Sequence, residues 1–233
     1  MFFDTQYLIL VMLPALVLAG LASLMVKITF NRYSKVPSYS GLTGAQAAER
    51  MLHSNGIFDV RVEQTSGFLS DHYDPSSKTL RLSSDVYGSN SLAAVGIACH
   101  EAGHALQHAH QYVPLVLRTA LVPVTNISSM FAFWVLAAGL VFSIKPLLLV
   151  GCAMFAVAFL FSVVTLPVEW DASARAKQHL VAAGIVSPMQ EADAGKVLNA
   201  AFLTYLAAAV SSLLTLLYYL WRAGFIGGGN DRD

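Results

Sequence analysis

The chain has 233 residues, 56% of them hydrophobic and only 12% charged, with a mean hydropathy of +0.59. Soluble domains carry about 25% charged residues, so the composition argues against a purely soluble globule. Fourteen basic residues balance fourteen acidic ones, which leaves no basic field for a polyanion and excludes nucleic-acid binding.

Tyr7 to Val26 is a run of twenty residues without a charge, about 30 Å as a helix and so matched to the hydrocarbon core of a bilayer. The preceding MFFDT lacks Lys and Arg, unlike the basic start of a cleaved signal peptide, so the run is read as a retained anchor. Residues 31–112 form the one sizeable polar stretch, read as a small α+β unit. Thr43 followed three residues later by Gln46 makes a capping-box pattern, and the helix it opens is expected to stop at Asn55-Gly56. Phe58, Val60 and Val62 alternate with Asp59, Arg61 and Glu63 as in a half-buried strand, with a short partner around Leu80 and Leu82. Leu92 to His110 lacks proline and reads as a helix.

Two further apolar runs, Thr119 to Phe142 and Leu147 to Leu166, are separated only by Ser143-Ile144-Lys145-Pro146. So short a link predicts a helical hairpin that returns the chain to the side it left. Pro167 then reads as the start of a helix that ends at Gly184. A fourth span is expected from Ala200 to Trp221. The organisation is thus an anchor over 1–30, a soluble segment over 31–112, a transmembrane hairpin over 113–167, a helix over 168–186, a helix containing the fourth span over 187–223 and a flexible tail over 224–233. Eleven of the fourteen Lys and Arg residues fall on the side of the polar segment in this arrangement, which the positive-inside rule assigns to the cytoplasm.

Four of the seven histidines lie between His100 and His110. His100 and His104 are one turn apart on one helix face, the spacing with which two imidazoles converge on a zinc ion. Glu101 flanks that face, placed to take a proton from a zinc-bound water, which is the chemistry of H-E-x-x-H. A catalytic site needs a third protein ligand. His110 stands where the longer H-E-x-x-H-x-x-G-x-x-H pattern has its third histidine, but Gln107 replaces that pattern's turn-making glycine, so the helix is expected to continue and to aim His110 elsewhere. His108 extends the same face, yet one straight helix does not wrap three imidazoles around one ion. Glu169, returned by the hairpin, is the remaining candidate, with Asp171 as fallback. A carboxylate at that point is otherwise explained by a helix N-terminus.

HEAGH at 100–104, DHYDP at 71–75, TLRLSSDVYG at 79–88, LPVEWDASARA at 166–176 and VLNAAFLTYLAAA at 197–209 together resemble the YugP-type family of membrane zinc metallopeptidases. With the spans and charge count above, the expected fold is a mostly α membrane protein of about four transmembrane helices, with a small α+β zinc-peptidase-like domain on the cytoplasmic side. The resemblance implies Zn2+ held by His100, His104 and Glu169, with Glu101 as the catalytic carboxylate, in the manner of gluzincins. The expected activity is hydrolysis of peptide bonds in a peptide or membrane-protein substrate by a Glu-activated, zinc-bound water, in a multi-pass protein of the cell membrane embedded in the lipid bilayer. The alternative is a non-catalytic zinc-binding membrane scaffold or complex subunit. Gluzincins often carry an Asp four residues beyond the ligand Glu; here that place is Ser173, whose hydroxyl, or Asp171, is expected to orient a histidine. By analogy, a strand at Phe58–Val62 or Leu80–Leu82 is expected to pair with an extended substrate; the sequence identifies no oxyanion donor, since His72, Tyr73, His179 and Tyr205 are candidates that a structural role explains better.

Overall fold

The computed structural model describes residues 5–67 and 70–226, so most of the expected tail at 224–233 lies outside the described residues. Helix α1 (Thr5–Tyr33) contains a π-helical turn at Leu8–Met12. It is followed by α2 (Gly44–Ser54), strands β1 (Arg61–Thr65), β2 (His72–Asp74) and β3 (Thr79–Ser83), and the short α3 (Ser84–Tyr87). Then come α4 (Leu92–Ala109), α5 (Val113–Val141), α6 (Lys145–Ala182) and α7 (Pro188–Arg222). Helices α1, α5, α6 and α7 are each long and apolar enough to cross a membrane.

The chain divides into two compact units. The first gathers residues 1–21, 117–166 and 204–233. In it α5 and α6 form the expected hairpin, turned by Ser143 in a left-handed conformation (φ 56°). The two helices approach so closely that a Cβ on Gly139 would lie 2.9 Å from the Leu148 backbone nitrogen, and one on Gly151 3.0 Å from the Leu136 backbone. Helices of this kind lack a hydrophobic drive to associate in lipid, and small residues let their backbones come together. Tyr7, Tyr218, Tyr219 and Phe155 make a ring cluster beside Val11, Leu136 and Cys152. Leu16, Ile127, Trp134 and Leu149 are exposed, as suits faces turned to acyl chains.

The second unit gathers residues 22–116 and 167–203. Its core holds Met51, Leu52, Leu80, Leu82, Leu92, Leu106, Leu180 and Ile185. The capping box forms: Thr43 Oγ1 accepts from the Gln46 N–H at 3.3 Å and Gln46 Oε1 accepts from the Thr43 N–H at 3.0 Å. The helix ends as expected, with Asn55 as cap and Gly56 left-handed at φ 74°. Strand order is β1-β3-β2, with β1 parallel and β2 antiparallel to β3.

Two expectations are corrected. The strand read from Phe58 begins only at Arg61, and its Leu80–Leu82 partner is the central strand, hydrogen-bonded on both sides and so closed to any further chain. Pro167 does not begin a helix: α6 runs unbroken from Lys145 to Ala182 with Pro167 inside it, because proline removes one intrahelical hydrogen bond and the remaining ladder holds. Helix α4 does run on past Gln107 as expected, ending at Ala109 with His110 as cap, and Gln111 turns left-handed at φ 51°.

Candidate metal centre

Helix α4 starts where Ser91 Oγ accepts the Ala94 N–H at 3.2 Å, which fixes the register of the residues that follow. Its flank of Ala98, Ala102 and Gly103 is fully buried and carries no bulk. Gly103 matters most. A Cβ there would lie 2.6 Å from the Ala172 carbonyl oxygen of α6, so this position admits only glycine at the observed helix separation. That approach brings the imidazoles of α4 to the carboxylate of α6. His100 Nε2 lies 3.2 Å and His104 Nε2 3.5 Å from the same oxygen, Glu169 Oε2. The two imidazole rings stand nearly perpendicular, 82° apart, with centroids separated by 4.8 Å.

The ligand atoms of His100, His104 and Glu169 all lie within 4.8 Å of one another. Zinc bonds of about 2.1 Å in tetrahedral array set ligand atoms about 3.4 Å apart, close to the two separations to Glu169. The chemistry of the donor set also fits a divalent cation: Glu169, 2% exposed, is a buried carboxylate facing two imidazoles, and a buried charge requires a partner.

The rear nitrogens of both rings are engaged. Gln107 is fully buried, and its Nε2 donates to Val168 O and to Asp171 Oδ2, both at 2.8 Å. Its Oε1 is therefore the atom facing His104 Nδ1 at 2.9 Å, and Nδ1 must carry the proton it donates, which leaves Nε2 as the basic nitrogen. Asp171 Oδ2 is held in turn by Arg175 Nε at 2.6 Å. Ser173 Oγ lies 3.1 Å from His100 Nδ1 and accepts its N–H in the tautomer that frees Nε2. Burial opposes charge on His104, but the hydrogen bond and charge of Glu169, then the charge of Glu101, outweigh it and raise its pKa above the usual value.

Glu101 is partly exposed beside the pair. His108 and His110 are not brought to Glu169. His108 Nδ1 lies 2.9 Å from the Tyr73 hydroxyl, and His110 Nδ1 lies 3.1 Å from Arg175 Nη1. His72 Nδ1 lies 2.8 Å from the Ser70 carbonyl oxygen and His179 pairs with Asn55, so neither is drawn into the centre. Sequence reasoning missed Gln107 as an orienting group, having read it only as the absence of a glycine. Its place three residues after His104 on a helix was the available signal.

A family profile described as "Putative neutral zinc metallopeptidase" matches residues 8–224. The protein named "Putative membrane protease YugP" of Bacillus subtilis (strain 168) is 45% identical over 208 residues, covering 89% of this chain and 92% of the relative. No solved structure matches.

Proposed function

Because the chain belongs to this family of neutral zinc metallopeptidases, we propose that it is an integral-membrane peptidase whose zinc is held by His100, His104 and Glu169 and whose active site faces the cytoplasm. The observation that carries the reading is the convergence of two imidazole nitrogens of α4 and one carboxylate oxygen of α6 with every rear nitrogen already paired. Zinc in such a centre supplies Lewis acidity, polarising a carbonyl and lowering the pKa of a water to about 7.

The chain's own groups do the rest. Glu101 is a carboxylate beside the centre with access to solvent, free to accept a proton from the attacking water and to deliver it to the departing amine. Gln107 and Ser173 fix the tautomer and the tilt of the imidazoles, while Arg175 and Asp171 immobilise Gln107. A purely structural zinc site has no use for a general base and closes its fourth position with another protein ligand, so Glu101 favours turnover over the scaffold alternative. The cytoplasmic side rests on the excess of Lys and Arg flanking the polar segment.

The test is the purified protein in detergent, assayed for bound zinc and for cleavage of a quenched fluorescent peptide mixture. Glu101→Gln is expected to keep the metal and to lose about 10²- to 10⁴-fold in rate. Full metal content with no cleavage by the wild-type protein would leave the scaffold reading. Accessibility of a cysteine placed at exposed Met189 to a membrane-impermeant reagent, in intact cells and in inverted vesicles, tests the sidedness.

A further inference from the structure

The stripe of α4 that carries Glu101 continues through Ala105 and His108, four and seven residues on, and runs into a cleft of about 810 Å³. Its apolar lining comes from Ile57 and Val60 ahead of β1, from Ala105 and Ala109 of α4, and from Val113 and Val116 in the first turn of α5. Such a volume lies within the range of about 300–1,000 Å³ found for ligand sites. At a rise of 1.5 Å per residue, the Ala105 wall is about 6 Å and the His108 wall about 10 Å along the helix from Glu101, about two to three residues of an extended chain.

Four of the polar groups around this cleft are matched in pairs, and the fifth, Gln111, is exposed to solvent. Tyr73 hydroxyl and His108 Nδ1 are 2.9 Å apart, and Lys78 is paired with Asp59 at the rim. One acid and one base leave the rim without net charge, so the cleft offers no attraction to an ionic group. An apolar occupant, by contrast, buries surface there without stranding a donor or an acceptor. Resting on the peptidase reading above, we infer that this cleft is the specificity subsite of the substrate: it takes a bulky uncharged side chain, aliphatic or aromatic, from a residue next to the bond presented at Glu101. The first turn of α5, a helix apolar enough to cross a membrane, forms one wall with Val113 (74% exposed) and Val116. The substrate that fits is therefore a polypeptide with an apolar stretch, of the kind found at the edge of a membrane segment.

The test uses the zinc-loaded full-length protein in nanodiscs and two peptide series, one with Phe or Leu and one with Gly or Asp flanking a central bond. Ala109→Trp, at an exposed position on the cleft wall, fills the cavity; Met189→Trp, at an exposed position outside it, is the control. Cleavage gives the ratio of kcat/KM for Phe to Gly peptides, and fluorescence anisotropy on the Glu101→Gln background gives peptide affinity without turnover. The expected result is a wild-type preference for Phe or Leu that falls about tenfold or more in Ala109→Trp, in both readouts, and stays unchanged in Met189→Trp. Cleavage with no side-chain preference, or with a preference Ala109→Trp leaves intact, overturns the subsite while the peptidase stands. Selective binding of Phe peptides, lost in Ala109→Trp, from a wild-type protein that cleaves none of them keeps the apolar subsite and overturns the peptidase. A ratio altered equally by both tryptophans overturns the assignment to this cleft.

Discussion

Gln107→Leu isolates the contribution of a side chain that touches no substrate and binds no metal. The substitution keeps volume and helix propensity but removes the acceptor for His104 Nδ1, 2.9 Å away, and the donor to Val168 O and Asp171. Val168 O lies in the interior of α6 and keeps its place in the helix ladder, and Asp171 keeps Arg175. The principal loss is one buried imidazole N–H without an acceptor, about 1–3 kcal/mol in stability. Freed of its acceptor, the His104 ring no longer has a fixed tautomer, and orienting groups of this kind contribute about 10- to 100-fold to metal affinity, or about 1.4–2.7 kcal/mol. Competition against a chromophoric zinc chelator measures the affinity, and thermal unfolding of the apo protein measures the stability separately. A variant that is less stable but binds zinc as tightly as wild type would refute the orienting role and reduce Gln107 to a packing residue.

Gly103→Ala is expected to be comparably damaging despite adding a single methyl. Its Cβ would meet the Ala172 carbonyl at 2.6 Å, a backbone atom that yields only if α4 and α6 separate, so apo stability should fall by about 1–3 kcal/mol and zinc stoichiometry with it, measured by melting and metal analysis. Removing zinc should lower the melting temperature of the wild type, since saturation at 100 times Kd stabilises by about 2.7 kcal/mol; in Glu169→Gln, zinc addition should produce little shift. The Asp71 carboxyl accepts from the Ser83 N–H and hydroxyl at 2.8–3.1 Å, but burial outweighs these bonds and raises its pKa. A raised carboxyl pKa makes the native state the tighter proton binder, so its contribution to stability is present below the unfolded value of about 4 and is lost as pH rises through the folded pKa. The melting temperature of Asp71→Asn relative to wild type should accordingly be higher at pH 7 than at pH 4, and an offset independent of pH would show that Asp71 is not the group responsible.

How far the site could be read before the structure depended on whether its parts are local or brought together. The capping box at Thr43, the hairpin link at 143–146 and the histidine pair of α4 are set by spacings of two to four residues, and each forms as its spacing implies. Glu169 lies 65 residues beyond His104. It could be named because the hairpin returns the chain, but its distance from the imidazoles depends on Gly103, whose meaning comes from a contact with Ala172 that no periodicity encodes. The strand roles failed for the same reason. Alternation at Phe58–Val62 and Leu80–Leu82 reports a half-buried face, while β3 becomes central only because β2 pairs on its far side across the short turn of residues 75–78.

Gln107 shows how one residue can count against one pattern and for another. The longer histidine motif requires glycine there so that the chain turns and delivers a third imidazole; with glutamine the helix runs two residues further, to Ala109, and His110 falls to Arg175 instead. The third ligand then has to come from another helix, and the residue that blocks the turn is the one that joins the two, with its oxygen on His104 and its nitrogen on Val168 and Asp171. The two features are therefore linked: a glycine at 107 would free the helix to turn while removing the bridge to α6, so restoring the longer motif in this chain should dismantle the centre rather than complete it. Gln107→Gly should lose zinc affinity at least as far as Gln107→Leu, and a gain in affinity through His110 would overturn the assignment of the third position to Glu169.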